Sequence, residues 1–109
     1  MSDDAIVVFM TAANGEEASR LAEMLVGAHL AACVQILPEI ESVYRWQGKI
    51  ERSSEVLLLV KTTSGKFDEL EMEVRALHSY DTPEIVAVPI VAGSAPYLEW
   101  LVKSAGSHG

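Results

Sequence analysis

The side chains of this 109-residue sequence that could do chemistry are few and widely spaced. His78 is the best single metal ligand, because a neutral imidazole suits copper, zinc and nickel. The competing role is structural: a histidine closing a helix interacts with the exposed carbonyls of the last turn. Met10 offers a thioether, which with one imidazole makes a set for Cu(I), although methionine serves equally well as core filler. Cys33 is a weaker candidate still, since no adjacent basic residue favours its thiolate. As the only cysteine it forms no internal disulfide, and it excludes a four-thiolate zinc site. His108 falls in a C-terminal stretch expected to fray.

A second set combines aromatic rings with polar groups: Tyr44, Trp46, Lys61, Tyr80, Thr82, Glu84, Tyr97 and Trp100. These residues could line a ligand cleft in which Lys61 meets an anion and Glu84 accepts hydrogen bonds. Packing and interface hydrogen bonding explain the aromatics as well, and Lys61 and Glu84 could simply pair with each other. Nothing resembles a nucleophile with its base, a Gly-rich phosphate loop or a His-Glu-x-x-His helix, so no enzyme activity is expected.

The elements that must position these groups follow from periodicity. Ala5 to Thr11 is short, apolar and β-branched and reads as a buried central strand. Asn14 with Glu17 three residues on signals a helix start. Ala18, Leu21, Ala22, Leu25 and Ala28 continue it at helical spacing to about His29. Val34, Ile36, Ile40, Tyr44 and Trp46 alternate with polar residues, the mark of a long strand, and Pro38 predicts a bend or bulge on an edge strand. Gln47-Gly48 makes a two-residue turn, and Lys49 to Thr63 returns as the second arm of a hairpin. Ser64 is placed to cap a second helix with the stripe Phe67, Leu70, Val74 and Leu77, ending near His78. Glu84 to Val91 reads as a fourth strand, in which Pro89 suggests an edge or a bulge. Ser94 and Pro96 open a last helix, with 104–109 as a frayed tail.

The order β-α-β-β-α-β with an added C-terminal helix predicts an α+β fold, a ferredoxin-like sandwich, as a single domain over residues 1–109 with its core at about 5–103. Met10, Thr11, His78 and Glu84 then share one edge, with Cys33 at the opposite end. Each hairpin arm reaches roughly 45 Å at ~3.3 Å per residue, while a helix of about 14 residues covers only ~21 Å. The outer hairpin therefore carries Val43, Tyr44, Trp46 and Ile50 beyond any core of its own. The ordinary solution is another subunit, and a heterologous contact closes its smallest ring as a trimer.

Particular residues sharpen this. The segments Ala31-Ala32-Cys33-Val34-Gln35, Ser42-Val43-Tyr44-Arg45-Trp46-Gln47-Gly48-Lys49-Ile50-Glu51, Val60-Lys61-Thr62-Thr63, His78-Ser79-Tyr80-Asp81-Thr82-Pro83-Glu84-Ile85 and Tyr97-Leu98-Glu99-Trp100-Leu101 closely resemble the CutA family of divalent-cation tolerance proteins, from about Ile6 to Val102. The resemblance implies a fold shared with the PII regulatory proteins and a homotrimer packed through its hairpins, with Val43, Tyr44, Trp46, Ile50 and Trp100 expected at the interface. It also implies a cytoplasmic location and a role in tolerance of copper or another divalent cation. The copper set proposed in the family carries over to Met10, Leu77 and His78, of which only His78 keeps its chemistry. By the same likeness to PII proteins, the aromatic and polar set becomes a cleft between subunits.

Composition sets the outer limits. Sixteen acidic against eight basic residues give a formal charge of −8, which repels phosphate backbones, so nucleic acid is not an expected partner. No apolar run approaches the ~18 to 20 residues of a membrane span, and the acidic start does not read as a secretory signal, so the cytosol is expected. Three functions stay open: a trimeric metal-tolerance protein, a sensor of a small anionic ligand, and a trimer that scaffolds other proteins.

Overall fold

The computed structural model describes residues 4–106. Strand β1 (Ala5–Ala12) is followed by helix α1 (Gly15–Gly27), then by the long strands β2 (Cys33–Trp46) and β3 (Lys49–Thr63). Helix α2 (Phe67–Leu77), the short strand β4 (Ile85–Pro89) and helix α3 (Ala95–Ala105) complete the chain. The four strands form one antiparallel sheet in the order β2-β3-β1-β4, the ferredoxin-like arrangement.

The prolines fall where their missing N–H groups require. Pro38 and Pro89 lie on the two edge strands, and the β2–β3 register slips between Leu37 and Ile40, a bulge around Pro38. Gln47 and Gly48 both take positive φ, 51° and 81°, the backbone of a tight hairpin turn.

Alternation sorts the central strands into two faces. Ile6, Val8, Met10 and Ala12 of β1 and Val56, Leu58 and Val60 of β3 are buried together with Ala18, Leu21 and Leu25 of α1 and Leu70 and Val74 of α2. The other face is only partly covered, by α3, which packs on β3 and β1 and buries Leu101 and Ala105. Val86 and Val88 of β4 stay exposed there. β1 stops opposite Val56 while β3 runs on with β2 alone, so the hairpin projects past the core and gives the molecule its 44 Å length. No helix among the described residues is long and apolar enough to cross a membrane.

Three expectations change at the ends of elements. Residues 64–66 form a 3-10 turn ahead of α2, so Ser64 opens that turn instead of capping the helix, whose N-cap is Lys66. Ser104 and Ala105 are not a frayed tail: the helix continues through them because Ala105 is buried. The fourth strand is shorter than expected, ending at Pro89. His108 lies outside the described residues.

Candidate functional site

The site begins at the first turn of α1. The side chain of Asn14 accepts the Glu17 N–H at 2.9 Å, which fixes the turn and points the Glu17 carboxylate back along the chain. One Glu17 oxygen accepts from the Ala13 N–H at 2.9 Å and from the Ser79 hydroxyl at 3.1 Å. The other accepts from the Ser79 N–H at 2.7 Å. A buried carboxylate thus clamps the segment after α2 to the start of α1. Burial alone would push the Glu17 carboxyl up. The hydrogen bonds from Ala13 and Ser79 outweigh it and hold the group below its ordinary value.

His78 sits directly behind this clamp with its side chain fully buried. Its Nε2 lies 2.7 Å from the Thr11 carbonyl oxygen, and its Nδ1 accepts the Tyr80 N–H at 3.0 Å. These partners assign the neutral tautomer with the proton on Nε2, because a carbonyl needs a donor and an N–H needs an acceptor. Tyr80 folds back over the ring, with centroids 4.7 Å apart, and its phenol donates to a Glu55 carboxylate oxygen at 2.8 Å. Burial, the hydrogen bond to Glu55 and the nearby charge of Glu55 push the Tyr80 phenol up to about 12, so at neutral pH it is a firm donor. One chain of contacts therefore runs from α1 through the 78–84 loop to β3.

That loop forms one wall of a cleft of about 710 Å³ at the point where β1 ends. The hairpin supplies the opposite wall through Ser42, Val43, Tyr44, Trp46, Ser53 and Glu55, while Thr11 closes the end and Tyr80, Asp81, Thr82 and Glu84 come from the loop. A shallower depression of about 530 Å³ surrounds the exposed Arg52–Glu41 ion pair and has no aromatic lining.

Of the aromatic and polar set expected from sequence, Tyr44, Trp46, Tyr80, Thr82 and Glu84 come together here. Lys61 does not, within one chain. It pairs with Cys33 and Val7 in the sheet, and its ammonium lies 5.4 Å from the Tyr97 ring, itself 5.5 Å from Trp100. Glu84 precedes the Ile85–Met10 pair, and Met10 faces Leu58, three residues along β3 from Lys61. The alternative of a Lys61–Glu84 ion pair is therefore not realised within the single chain, and the cleft lining of that chain includes no Lys or Arg.

The structure places the three metal candidates apart from one another. Both nitrogens of His78 are occupied inside the protein, leaving no lone pair for a metal. Met10 is fully buried in the core between Leu58 and Ile85. Cys33 is half-buried at the far end of the sheet. Among the described residues, no three His, Cys, Asp or Glu side chains converge as a metal site. Glu17 and Glu55 were not singled out as site residues by sequence. Glu17 carried a signal in its capping position, but its link to Ser79 spans 62 residues and no local pattern marks it.

Comparison with known proteins agrees with this architecture. The family model described as CutA1 divalent ion tolerance protein matches residues 6–104. The chain belongs to the CutA1 family. A divalent-cation tolerance protein CutA from Thermus thermophilus is 49% identical over 100 residues, covering 92% of this chain and 97% of that protein. A solved CutA1 structure from the same organism superposes with a TM-score of 0.90 at 48% identity, covering 92% of this chain and 97% of that one. The structure of the periplasmic divalent cation tolerance protein CutA from Archaeoglobus fulgidus gives a TM-score of 0.89 at 44% identity, covering 93% and 98%. A chloroplastic CutA from Arabidopsis thaliana is 50% identical over 91% of this chain, which spans about half, 54%, of that longer relative. The CutA1 match thus takes in the Glu17 clamp, the 78–84 loop and the hairpin alike.

Proposed function

We propose that this CutA1 family member works as a homotrimeric divalent-cation tolerance protein that meets metal ions through exposed carboxylate oxygens, without a soft copper-selective site. The observation that carries this reading is the closure of His78, whose ring nitrogens are bound to Thr11 and Tyr80. With Met10 in the core and Cys33 remote, the donors left for cations are oxygens, in a chain with 16 acidic and 8 basic residues. Such donors suit magnesium, calcium and manganese and hold a copper ion only as one more divalent cation. Trimerisation is supported by the apolar side chains left in water at Val43, Tyr44, Trp46 and Ile50 of the hairpin and Trp100 of α3. A reducing cytoplasm agrees with the lone, unbridged Cys33.

The test is calorimetric titration of copper and magnesium into the wild-type protein, His78→Ala and His78→Gln. Weak binding that is similar for both metals, falls with salt and is unchanged in the folded variants is the expected result. Saturable, tight copper binding lost in both variants would overturn it. His78→Ala leaves the Thr11 carbonyl and the Tyr80 N–H unpaired beside a cavity and is expected to cost about 2–4 kcal/mol of stability in denaturant titration. Light scattering should return three times the 11.8 kDa chain mass. A single-chain mass would remove the trimer.

A further inference from the structure

The hydrogen bonds of His78 are made entirely inside one chain. Helix α2 ends with the His78 N–H on the Val74 carbonyl at 2.8 Å, and the backbone then leaves extended, at φ −73° and ψ 145°. The His78 and Glu17 side chains are 0% and 4% exposed within a single chain, so an adjoining copy neither covers nor completes their contacts.

The neutral ring matches its partners, with a proton on Nε2 for the Thr11 carbonyl and a lone pair on Nδ1 for the Tyr80 N–H. A second proton can enter only at Nδ1. There it sets one N–H donor against another, which ends the bond to Tyr80. A buried imidazolium then requires an acceptor of its own. Glu17 supplies it: Oε2 lies 3.8 Å from Nδ1 and, among the described residues, accepts from the Ser79 N–H alone, which leaves it a lone pair. The Glu17 carboxyl is held below its ordinary value, so it is still charged where histidines take up protons. Around this pair, Glu55 of β3 and Asp81 of the loop stand beyond Tyr80, and β1 presents the Thr11 carbonyl. Arg75, the cation of the last turn of α2, is exposed and pairs with Glu71.

We infer that His78 is a proton-operated latch: a proton taken from solvent onto Nδ1 turns that nitrogen from the Tyr80 N–H to Glu17 Oε2 and frees the Tyr80 end of the 78–84 loop. The neutral ring holds the loop, and the charged ring releases it. Tyr80 packs on the ring with centroids 4.7 Å apart and its phenol holds Glu55, so release at its N–H is felt at the base of the hairpin. This goes beyond metal tolerance: the ligand of His78 is a proton, and the latch operates whether or not surface carboxylates meet cations.

The experiment is an NMR titration of the isotope-labelled full chain from about pH 8 to about pH 5, the range in which histidines change charge. The ring nitrogens of His78 report its protons, and hydrogen-exchange protection factors report the Tyr80 amide. Tyr80 protection is expected to fall roughly tenfold in the same step in which Nδ1 gains its proton, with the β1 and β3 amides still protected. His78→Gln is neutral throughout and should show no such step. Glu17→Gln removes the charged acceptor and should move the step to lower pH by about a unit. Tyr80→Phe keeps the N–H and should keep the step. A Tyr80 amide that stays protected once Nδ1 is protonated would overturn the proposal. So would the same step in His78→Gln, its loss in Tyr80→Phe, or a step left in place by Glu17→Gln. A ring that keeps one proton until the β1 and β3 amides are lost together would overturn it as well, by making His78 purely structural.

Discussion

Glu17 and Tyr80 are the two titrating groups whose environments matter most to the 78–84 loop, and they act at opposite ends of the pH scale. The Glu17 carboxyl is held below its ordinary value, so its contribution to stability is full above that value and disappears as pH falls through the lowered folded one. Glu17→Gln cannot accept on both sides of the clamp, and the loss should be on the order of 2 kcal/mol at neutral pH. Thermal melts should show the gap between wild type and variant narrowing as pH drops below the carboxylate range. Tyr80 is raised to about 12 by burial and by Glu55, so its contribution is full below 10 and is lost as pH climbs from 10 towards 12. Ultraviolet titration of the three tyrosines should show one ionising late, and Tyr80→Phe should remove that late phase and flatten the alkaline loss of stability.

Among the elements, the hairpin depends most on a single turn. Gly48 sits at φ 81° with nothing within 4 Å of where a Cβ would stand, so Gly48→Ala meets backbone strain without a clash. The expected cost is about 1 kcal/mol, read as a lower melting temperature with the sheet signal retained. The elements themselves were largely legible in sequence because each rests on local pattern: alternation for β2, 3.6-residue spacing for α1, prolines for the sheet edges. The 3-10 turn at 64–66 and the length of α3 were not, since both depend on what packs against them. The cleft was legible only in part. Tyr44, Trp46, Tyr80, Thr82 and Glu84 come together within one chain, whereas Lys61 is separated from them by the β1–β3 register and Tyr97 lies beside Lys61.

At the scale of the whole molecule, the hairpin outruns the core, and Ile50 near its tip is 71% exposed. If three copies bury this surface against one another, a charge placed there must be desolvated without a partner, at a cost of several kcal/mol. Ile50→Glu is therefore expected to shift the assembly towards the 11.8 kDa chain in light scattering, while the individual sheet and helices keep their circular dichroism. An unchanged mass would place the subunit contact elsewhere, on the open sheet face that carries Val86 and Val88.

The sequence by itself determined the order of strands and helices, the two proline-marked edge strands, the hairpin turn and the family, because these are written in neighbouring residues and in short segments. Only the tertiary structure decided the fate of His78. Its ring is closed by a carbonyl 67 residues away and by a backbone N–H two residues on, and backbone groups carry no side-chain identity for a sequence to display. The same holds for the Glu17 clamp on Ser79, which only the folded chain brings into contact.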